Sequence, residues 1–328
     1  MFGAGLGVTA LALALCGTAS SFGTLLAARA LQGVGAALVY ASAPALVTLR
    51  TPDGLRQRAL GWYHLVSGIA ITAGPLLGGV LVAAWGWRAV YLARVPLALA
   101  ALALAWGGLA ADPPARVDRA PAGGGTVDRR TFVVANAANL VANAALFFVW
   151  LLVPYYLLGA RGLTAPVAGL LFALGTLGTA VAAPAGARAA ERWGGRPVAA
   201  LALAVESLGL WLTSRLDAGS SSVAIGLALA LAGAGVGLFA APNMHYVMSA
   251  LPRDRQGLAG SLVMLMRMAG IVVGAWLATW LYEGRLAAHG ATDLAFRDAL
   301  GVAAAIAAVA LVLSLVPPAR GRGRAGPG

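Results

Sequence analysis

The sequence has few charged residues and no lysine. Only 10% of its 328 residues are charged, whereas soluble domains carry about 25%. Hydrophobic residues make up 60% of the chain, and the mean hydropathy is +0.84. This composition excludes an ordinary soluble globular protein and indicates an integral membrane protein.

Cysteine and histidine are also scarce, which limits the chemistry available to the chain. The single cysteine, Cys16, excludes a disulfide framework and is expected to be a packing residue in a helix. The three histidines, His64, His245 and His289, lie in separate segments, and no His/Cys pair has the spacing of metal ligands. We find no catalytic or phosphate-binding motif, so the sequence predicts no enzyme, cofactor or metal.

The apolar residues form long runs between short polar breaks. A helix needs about 20 apolar residues to cross about 30 Å of hydrocarbon. Suitable runs lie near residues 2–20, 23–49, 59–84, 88–110, 131–158, 164–186, 197–215, 222–250, 257–283 and 298–316. They lack two-residue alternation, which argues against a membrane barrel. We therefore predict an all-α, polytopic bundle of about ten transmembrane helices.

The net charge of +12 is explained by the positions of the arginines. They concentrate in alternate breaks, near residues 50–58, 116–130, 188–196, 253–255 and 320–324. Basic residues favour the cytoplasmic side of a membrane. The pattern predicts a multi-pass protein of the cell membrane with both termini in the cytoplasm, and it accounts for the charge without a nucleic-acid partner.

A polar stretch rich in Pro, Arg and Gly divides the chain at residues 111–130. We interpret it as a cytoplasmic linker between transmembrane halves at 1–110 and 131–317, followed by a basic tail at 318–328. Three features recur with an offset of about 200 residues: Gly33–Gly35 and Gly235–Gly237, Pro52 and Pro252, and Gly74 and Gly274. Four spans precede the linker and six follow it. Two further spans are therefore expected upstream of Met1, unless the ten-span chain is a natural short form.

Three segments have a distinctive sequence: RALQGVGAAL at 29–38, GPLLGG at 74–79 and GWRAVYLARVP at 86–96. Together they resemble the drug/proton antiporters of the major facilitator superfamily, over nearly the whole chain. The resemblance implies that the spans correspond to spans three to twelve of a twelve-span plan. It also implies proton-coupled export of small lipophilic compounds by alternating access. Metabolite uptake by the same fold, and a non-transporting fragment or assembly subunit, remain alternatives.

The second of these segments contributes Gly74, Pro75, Gly78 and Gly79. Small residues let helices approach closely in lipid, and a proline removes a backbone donor and can bend a helix. The resemblance implies that this segment is a pivot for alternating access. Static packing of small residues is the alternative.

Charged residues inside predicted spans are costly, and they usually face a cavity or a partner. Arg29 matches an arginine that the resemblance associates with proton coupling; structural pairing is the alternative. Glu206 is the only acid deep in a span and is a second candidate for proton coupling. Arg267 is a further arginine within a span.

Three amides are expected on one helical face, because Asn136, Asn139 and Asn143 stand at i, i+3 and i+7. The resemblance implies that their span lines a central cavity, together with the two spans that carry the other polar candidates. These are Gln32, Tyr40, Asn243 and His245. We predict that this set contacts a small-molecule substrate. Hydrogen bonding between helices is the alternative.

The segment ARAAERWGGRP at 187–197 resembles a degenerate copy of the family's cytoplasmic gate. Its matching residues are Glu191, Arg192, Gly194 and Arg196. An acid and neighbouring arginines could latch the inward side closed, although exposed ion pairs are individually weak. A purely topogenic role for the arginines is the alternative.

Overall fold

The computed structural model describes residues 1–52, 55–109, 129–249 and 256–316, and all regular structure in these ranges is helical. The α-helices are α1 Phe2–Thr18, α2 Phe22–Arg50, α3 Arg56–Trp85, α4 Trp87–Leu92, α5 Arg94–Leu109, α6 Arg129–Tyr155, α7 Ala165–Trp193, α8 Gly195–Ser214, α9 Ser222–Ser249, α10 Gln256–His289 and α11 Thr292–Ser314. A π-helical turn, Tyr156–Ala160, extends α6. Most of the predicted linker and the whole predicted tail at 318–328 lie outside the described residues.

The predicted helical membrane bundle is confirmed. Eight described segments are long and apolar enough to cross a membrane, and two shorter apolar helices, Phe2–Thr18 and Ala73–Trp85, accompany them. The run predicted at 88–110 is interrupted, because α4 ends at Leu92 and α5 begins at Arg94. Pro96 explains the break, since it has no N–H to donate to the carbonyl of Leu92.

The described helices form two compact units, one before and one after the predicted linker. In the first unit, α1 packs against α2 at a point where both helices present glycine. A Cβ on Gly35 would lie 2.5 Å from Thr9 Oγ1 and 3.0 Å from the carbonyl oxygen of Gly5. Cys16 is fully buried in α1, as expected for a packing residue.

In the second unit, α9 lies between α7 and α8 and presents glycine to both. A Cβ on Gly233 would collide with the carbonyl of Gly175 in α7, and one on Gly237 would collide with the backbone of Thr179. Gly235 faces the other way, because a Cβ there would collide with the backbone of Glu206 in α8. Helices that bury little water-exposed surface on association gain attraction from such close packing. The glycine motif of α9 therefore serves two interfaces.

The other helices of this unit complete its core. A Cβ on Gly274 of α10 would collide with the backbone of Ala144 in α6. Two hydrogen bonds join α8 to α11: the Ser207 hydroxyl donates to the carbonyl of Ala304 at 2.9 Å, and Arg196 Nε donates to that of Ser314 at 3.3 Å. From Arg196 to Ser207 the residue number increases along α8, while that of the bonded partner decreases from 314 to 304 along α11. The two helices are therefore antiparallel.

The packing of the glycines in the predicted repeat agrees between the halves for Gly35 and Gly235 and differs for Gly74 and Gly274. Gly35 packs on α1 and Gly235 packs on α8, each the helix before its own in the chain. The relation between the two halves stays a prediction. Gly274 packs directly on α6, whereas a Cβ on Gly74 would meet nothing within 4 Å. Gly74 therefore makes no close backbone contact like that of Gly274 within its own unit.

We expect Gly233→Ala to lower the free energy of unfolding by about 1–3 kcal/mol, because the added methyl group overpacks the contact with Gly175. Gly284→Ala is the matched control, since a Cβ at Gly284 meets nothing within 4 Å in α10. Thermal unfolding of both variants in detergent, followed by tryptophan fluorescence, measures the difference. Equal stability of the two variants would contradict the proposed packing.

Candidate functional site

Arg29 on α2 is held by two neighbours in the first unit. Its Nη1 donates to Gln32 Oε1 at 2.7 Å, and its guanidinium carbon lies 5.9 Å from the centre of the Tyr91 ring. The first contact is between side chains three residues apart on one helix, and the second is a cation–π contact. Arg29 is exposed while Gln32 is buried, and no described acid pairs with Arg29. The arrangement orients a positive charge without neutralising it.

Tyr91 was not singled out by the sequence analysis, although it lies in the quoted segment at 86–96. Tyr40 is 68% exposed and does not join the Arg29 group. Asn243 is buried on α9 in the second unit. The side chain of His245 lies outside the described residues. The predicted substrate contacts are thus divided between the two units.

The three asparagines of α6 share one buried face, as their spacing predicts. Asn139 Nδ2 donates to the carbonyl of Val263 in α10 at 2.8 Å, so this residue joins two helices. Asn143 Nδ2 donates to the carbonyl of Asn139 at 2.8 Å, and Asn136 Nδ2 donates to that of Phe132 at 2.9 Å. Hydrogen bonding between helices, one of the two alternatives, therefore applies to Asn139.

Asn136 differs from the other two because its Oδ1 is buried and accepts no hydrogen bond within the described structure. An unmet acceptor inside a protein costs about 1–3 kcal/mol. Such an atom is available to a ligand or a water molecule that donates a hydrogen bond. Of the three amides, Asn136 is the one with a fully buried oxygen that has no partner among the described residues.

Glu206 on α8 has no exposed surface, and neither of its carboxyl oxygens has a hydrogen-bond partner within the described structure. Ala202 and Leu203, one turn earlier on the same helical face, belong to an apolar cluster with Ala142 and Ala310. A carboxylate charge without a partner is very unfavourable in such surroundings. The uncharged carboxylic acid is the form that this environment tolerates, so the site can hold a proton.

A cavity of about 30 Å³ lies between α6, α7 and α9. Its walls include the rings of Trp150 and Phe172 and the side chains of Thr176 and Thr179. A water molecule needs about 10–15 Å³ by the same kind of measure, whereas sites for small molecules occupy about 300–1,000 Å³. This cavity therefore has room for about two or three waters and not for a substrate of drug size.

The residues of the predicted pivot lie in the middle of α3, and the helix continues through Pro75. Gly74 is exposed, and neither Gly74 nor Gly78 would bring a Cβ within 4 Å of another atom. Gly79 is partly buried. The missing N–H of Pro75 leaves the carbonyl four residues earlier without its usual donor. The pivot itself stays a prediction.

The predicted gate lies at the junction of α7 and α8. Gly194 has a φ of +86°, which favours glycine, and it turns the chain between the two helices in a single residue. Glu191 and Arg192 are exposed, and neither forms an ion pair with another described residue. Arg196 instead donates to Ser314 in α11. The structure therefore shows no ion pair that would hold this gate closed.

Arg267, the further arginine predicted within a span, is exposed on α10.

Two overlapping segments of the chain, residues 1–158 and 135–328, match the family profile of the Major Facilitator Superfamily. The chain belongs to the Major Facilitator Superfamily. This places the chain in a superfamily of membrane transporters rather than in a family of enzymes. The resemblance inferred from the glycine-rich segments is confirmed at the level of the family.

Individual superfamily members match over different lengths. The tetracenomycin C resistance and export protein of Streptomyces glaucescens is 39% identical over 118 residues, which are 36% of this chain and 21% of that protein. Such matches to drug-resistance relatives span only 16–23% of those relatives' lengths. The riboflavin transporter RibZ of Clostridioides difficile is 20% identical over 362 aligned positions, which cover 92% of this chain and 79% of that protein.

The fold of this superfamily member is also found in solved transporters. A crystal structure of a bacterial homologue of the human lysosomal transporter Spinster superposes with a TM-score of 0.77 at 14% identity, over 95% of this chain and 80% of that one. At this identity the likeness concerns the fold alone.

We expect Asn139→Leu to lower the free energy of unfolding by about 0.6 kcal/mol, the average for hydrogen bonds between membrane helices, and by at most about 1.7 kcal/mol. The substitution removes the donor to the Val263 carbonyl. Asn136→Leu, one turn away on the same face, removes no bond between helices. It also removes a buried acceptor that has no partner. It should leave stability unchanged or raise it. Thermal unfolding in detergent compares the two, and an equal loss from both would show that Asn139 does not join α6 to α10.

Proposed function

We propose that this protein exports small lipophilic compounds in exchange for protons. The observation that carries the proposal is Glu206, a fully buried carboxyl group without a hydrogen-bond partner. A buried acid of this kind in a membrane helix is typical of a proton pathway. The similarity to the tetracenomycin C resistance and export protein supports export as the direction of transport.

In this mechanism Glu206 carries the proton and alternating access moves it across the membrane. While the site is closed, apolar packing against α9 keeps the carboxyl group neutral. When a rearrangement of α8 and α9 admits water, the charged form becomes tolerable and the proton leaves. The proton gradient then supplies the energy for moving the substrate in the opposite direction.

Arg29 is the second residue that we assign to proton coupling. Gln32 and Tyr91 fix the direction of its guanidinium group, which stays without an acidic partner among the described residues. A fixed, uncompensated positive charge can stabilise an anionic group that forms nearby during the cycle. This role requires charge, so Arg29→Lys should retain more coupling than Arg29→Gln.

Substrate recognition is assigned to polar residues in both units. Asn136 offers the free acceptor described above, and we propose further contacts from Gln32, Tyr40, Asn243 and His245. The segment from Gly74 to Gly79 acts as the pivot, and the segment from Glu191 to Arg196 as the cytoplasmic gate. The arginine distribution supports a location in the cell membrane with both termini in the cytoplasm.

Import of a metabolite is the second candidate. It is favoured by the match to the riboflavin transporter RibZ, which extends over most of both chains, unlike the short matches to drug-resistance relatives. Both functions use the same fold, so direction and substrate have to be measured.

Transport in inside-out membrane vesicles tests the proposal. The protein is expressed together with any coding sequence that precedes Met1 in frame, and an imposed gradient, acidic inside, is expected to drive accumulation of a fluorescent lipophilic dye. Glu206→Gln should abolish the gradient-driven part, because the amide cannot release a proton. Glu283→Gln, which changes an exposed acid on α10, is the matched control and should keep it.

Three results would contradict the proposal. Dye accumulation that is the same with and without the proton gradient would exclude proton coupling. Full activity of Glu206→Gln would exclude Glu206 as the proton carrier. Accumulation of substrate in right-side-out vesicles, with none in inside-out vesicles, would favour import.

A further inference from the structure

An open groove of about 500 Å³ lies between α8 and α11 in the second unit, and we call it the α8–α11 groove. Its walls are almost wholly apolar. They include Leu208 and Trp211 of α8 and Gly301, Ala305 and Leu311 of α11. The groove is separate from Glu206 and from the asparagines of α6, and neither proton coupling nor substrate contact uses it.

Two arginines lie at the same end of this groove. The hydrogen bond from Ser207 to Ala304 fixes the register of the two antiparallel helices. Arg215 follows Ser207 by eight residues, and Arg297 precedes Ala304 by seven. At 1.5 Å per helical residue, both arginines therefore lie roughly 10–12 Å from that bond in the same direction.

Both arginines are also directed to the groove by their neighbours. The guanidinium carbon of Arg215 lies 5.0 Å from the centre of the Trp211 ring, and Trp211 lines the groove. Arg297 stands four residues before Gly301, so the two share one face of α11. Both arginines are exposed, and neither forms an ion pair with another described residue. They present two positive charges, each without an ion-pair partner among the described residues, at the mouth of the apolar groove.

The length of the groove matches one leaflet of a bilayer. From Gly301 to Leu311, α11 advances about 15 Å, which is half of the roughly 30 Å hydrocarbon core. Arginine binds phosphate oxygens in a planar, bidentate way and is suited to headgroup recognition. An apolar groove of leaflet depth with two arginines at its mouth is complementary in shape and charge to a single anionic phospholipid.

We propose that the α8–α11 groove binds an anionic phospholipid of the bilayer. One acyl chain lies along the groove against Trp211 and Ala305, and the headgroup phosphate lies between Arg215 and Arg297. The site would make the second unit selective for anionic over zwitterionic lipid. This inference does not depend on the direction of transport or on proton coupling.

Native mass spectrometry of the purified full chain in detergent tests the proposal. Phosphatidylglycerol and phosphatidylcholine with the same acyl chains are titrated separately. The unsubstituted protein is expected to bind one phosphatidylglycerol more tightly than phosphatidylcholine. The affinity of the double variant R215Q/R297Q for phosphatidylglycerol should be about 25-fold lower, about fivefold for each arginine. R188Q removes an exposed arginine from α7 and should bind like the unsubstituted protein.

A second variant tests the acyl chain independently of charge. Gly301→Phe fills the groove, and a Cβ at Gly301 meets nothing within 4 Å, so the helices should pack as before. It is expected to lose tight phosphatidylglycerol binding although both arginines remain.

Four results would overturn the proposal. They are equal binding of the two lipids, equal binding by R215Q/R297Q and R188Q, and unchanged binding by Gly301→Phe. The fourth is disulfide cross-linking of Ala305→Cys to a second copy at saturating lipid, which would make the groove an interface between copies.

Discussion

Close contact between helix backbones is the constraint on which the second unit depends. Lipid is as apolar as the side chains it surrounds, so these helices gain little by hiding apolar surface from one another. They gain attraction where backbones approach closely, and α9 does this on two sides. Gly233 and Gly237 admit α7, and Gly235 admits α8. The same motif that looks costly for a helix in water is therefore what holds three membrane helices together.

This packing also determines the chemistry that we assign to the unit. Because Gly235 lets α9 lie directly on the backbone at Glu206, the acid is enclosed without a polar partner. The interior beside it is tight, and the cavity between α6, α7 and α9 has room only for water. Under the proposed mechanism, proton exchange at Glu206 requires the helices to separate, because a carboxylate without a partner is tolerated only where water reaches it.

Features that follow from the membrane environment, such as the helices, could be predicted from the sequence. Contacts that depend on the register between helices could not. Apolar runs predicted the helices, and the spacing of the α6 asparagines predicted their common face. The break at Ala93 was missed, although Pro96 explains it. The sequence could place Glu206 in a span, but its lack of a partner depends on how α8, α9 and α11 meet. The bond from Asn139 to Val263 likewise needs the register of α6 against α10, which no local pattern contains.

The protonation state of Glu206 tests the central claim most directly. Infrared spectroscopy of the purified protein at neutral pH distinguishes a carboxylic acid from a carboxylate by its carbonyl stretching band. The account predicts a carboxylic acid band that is absent from Glu206→Gln and resists exchange with deuterated water, since the group is enclosed. Finding only carboxylate signals, with identical spectra for the protein and its variant, would contradict it.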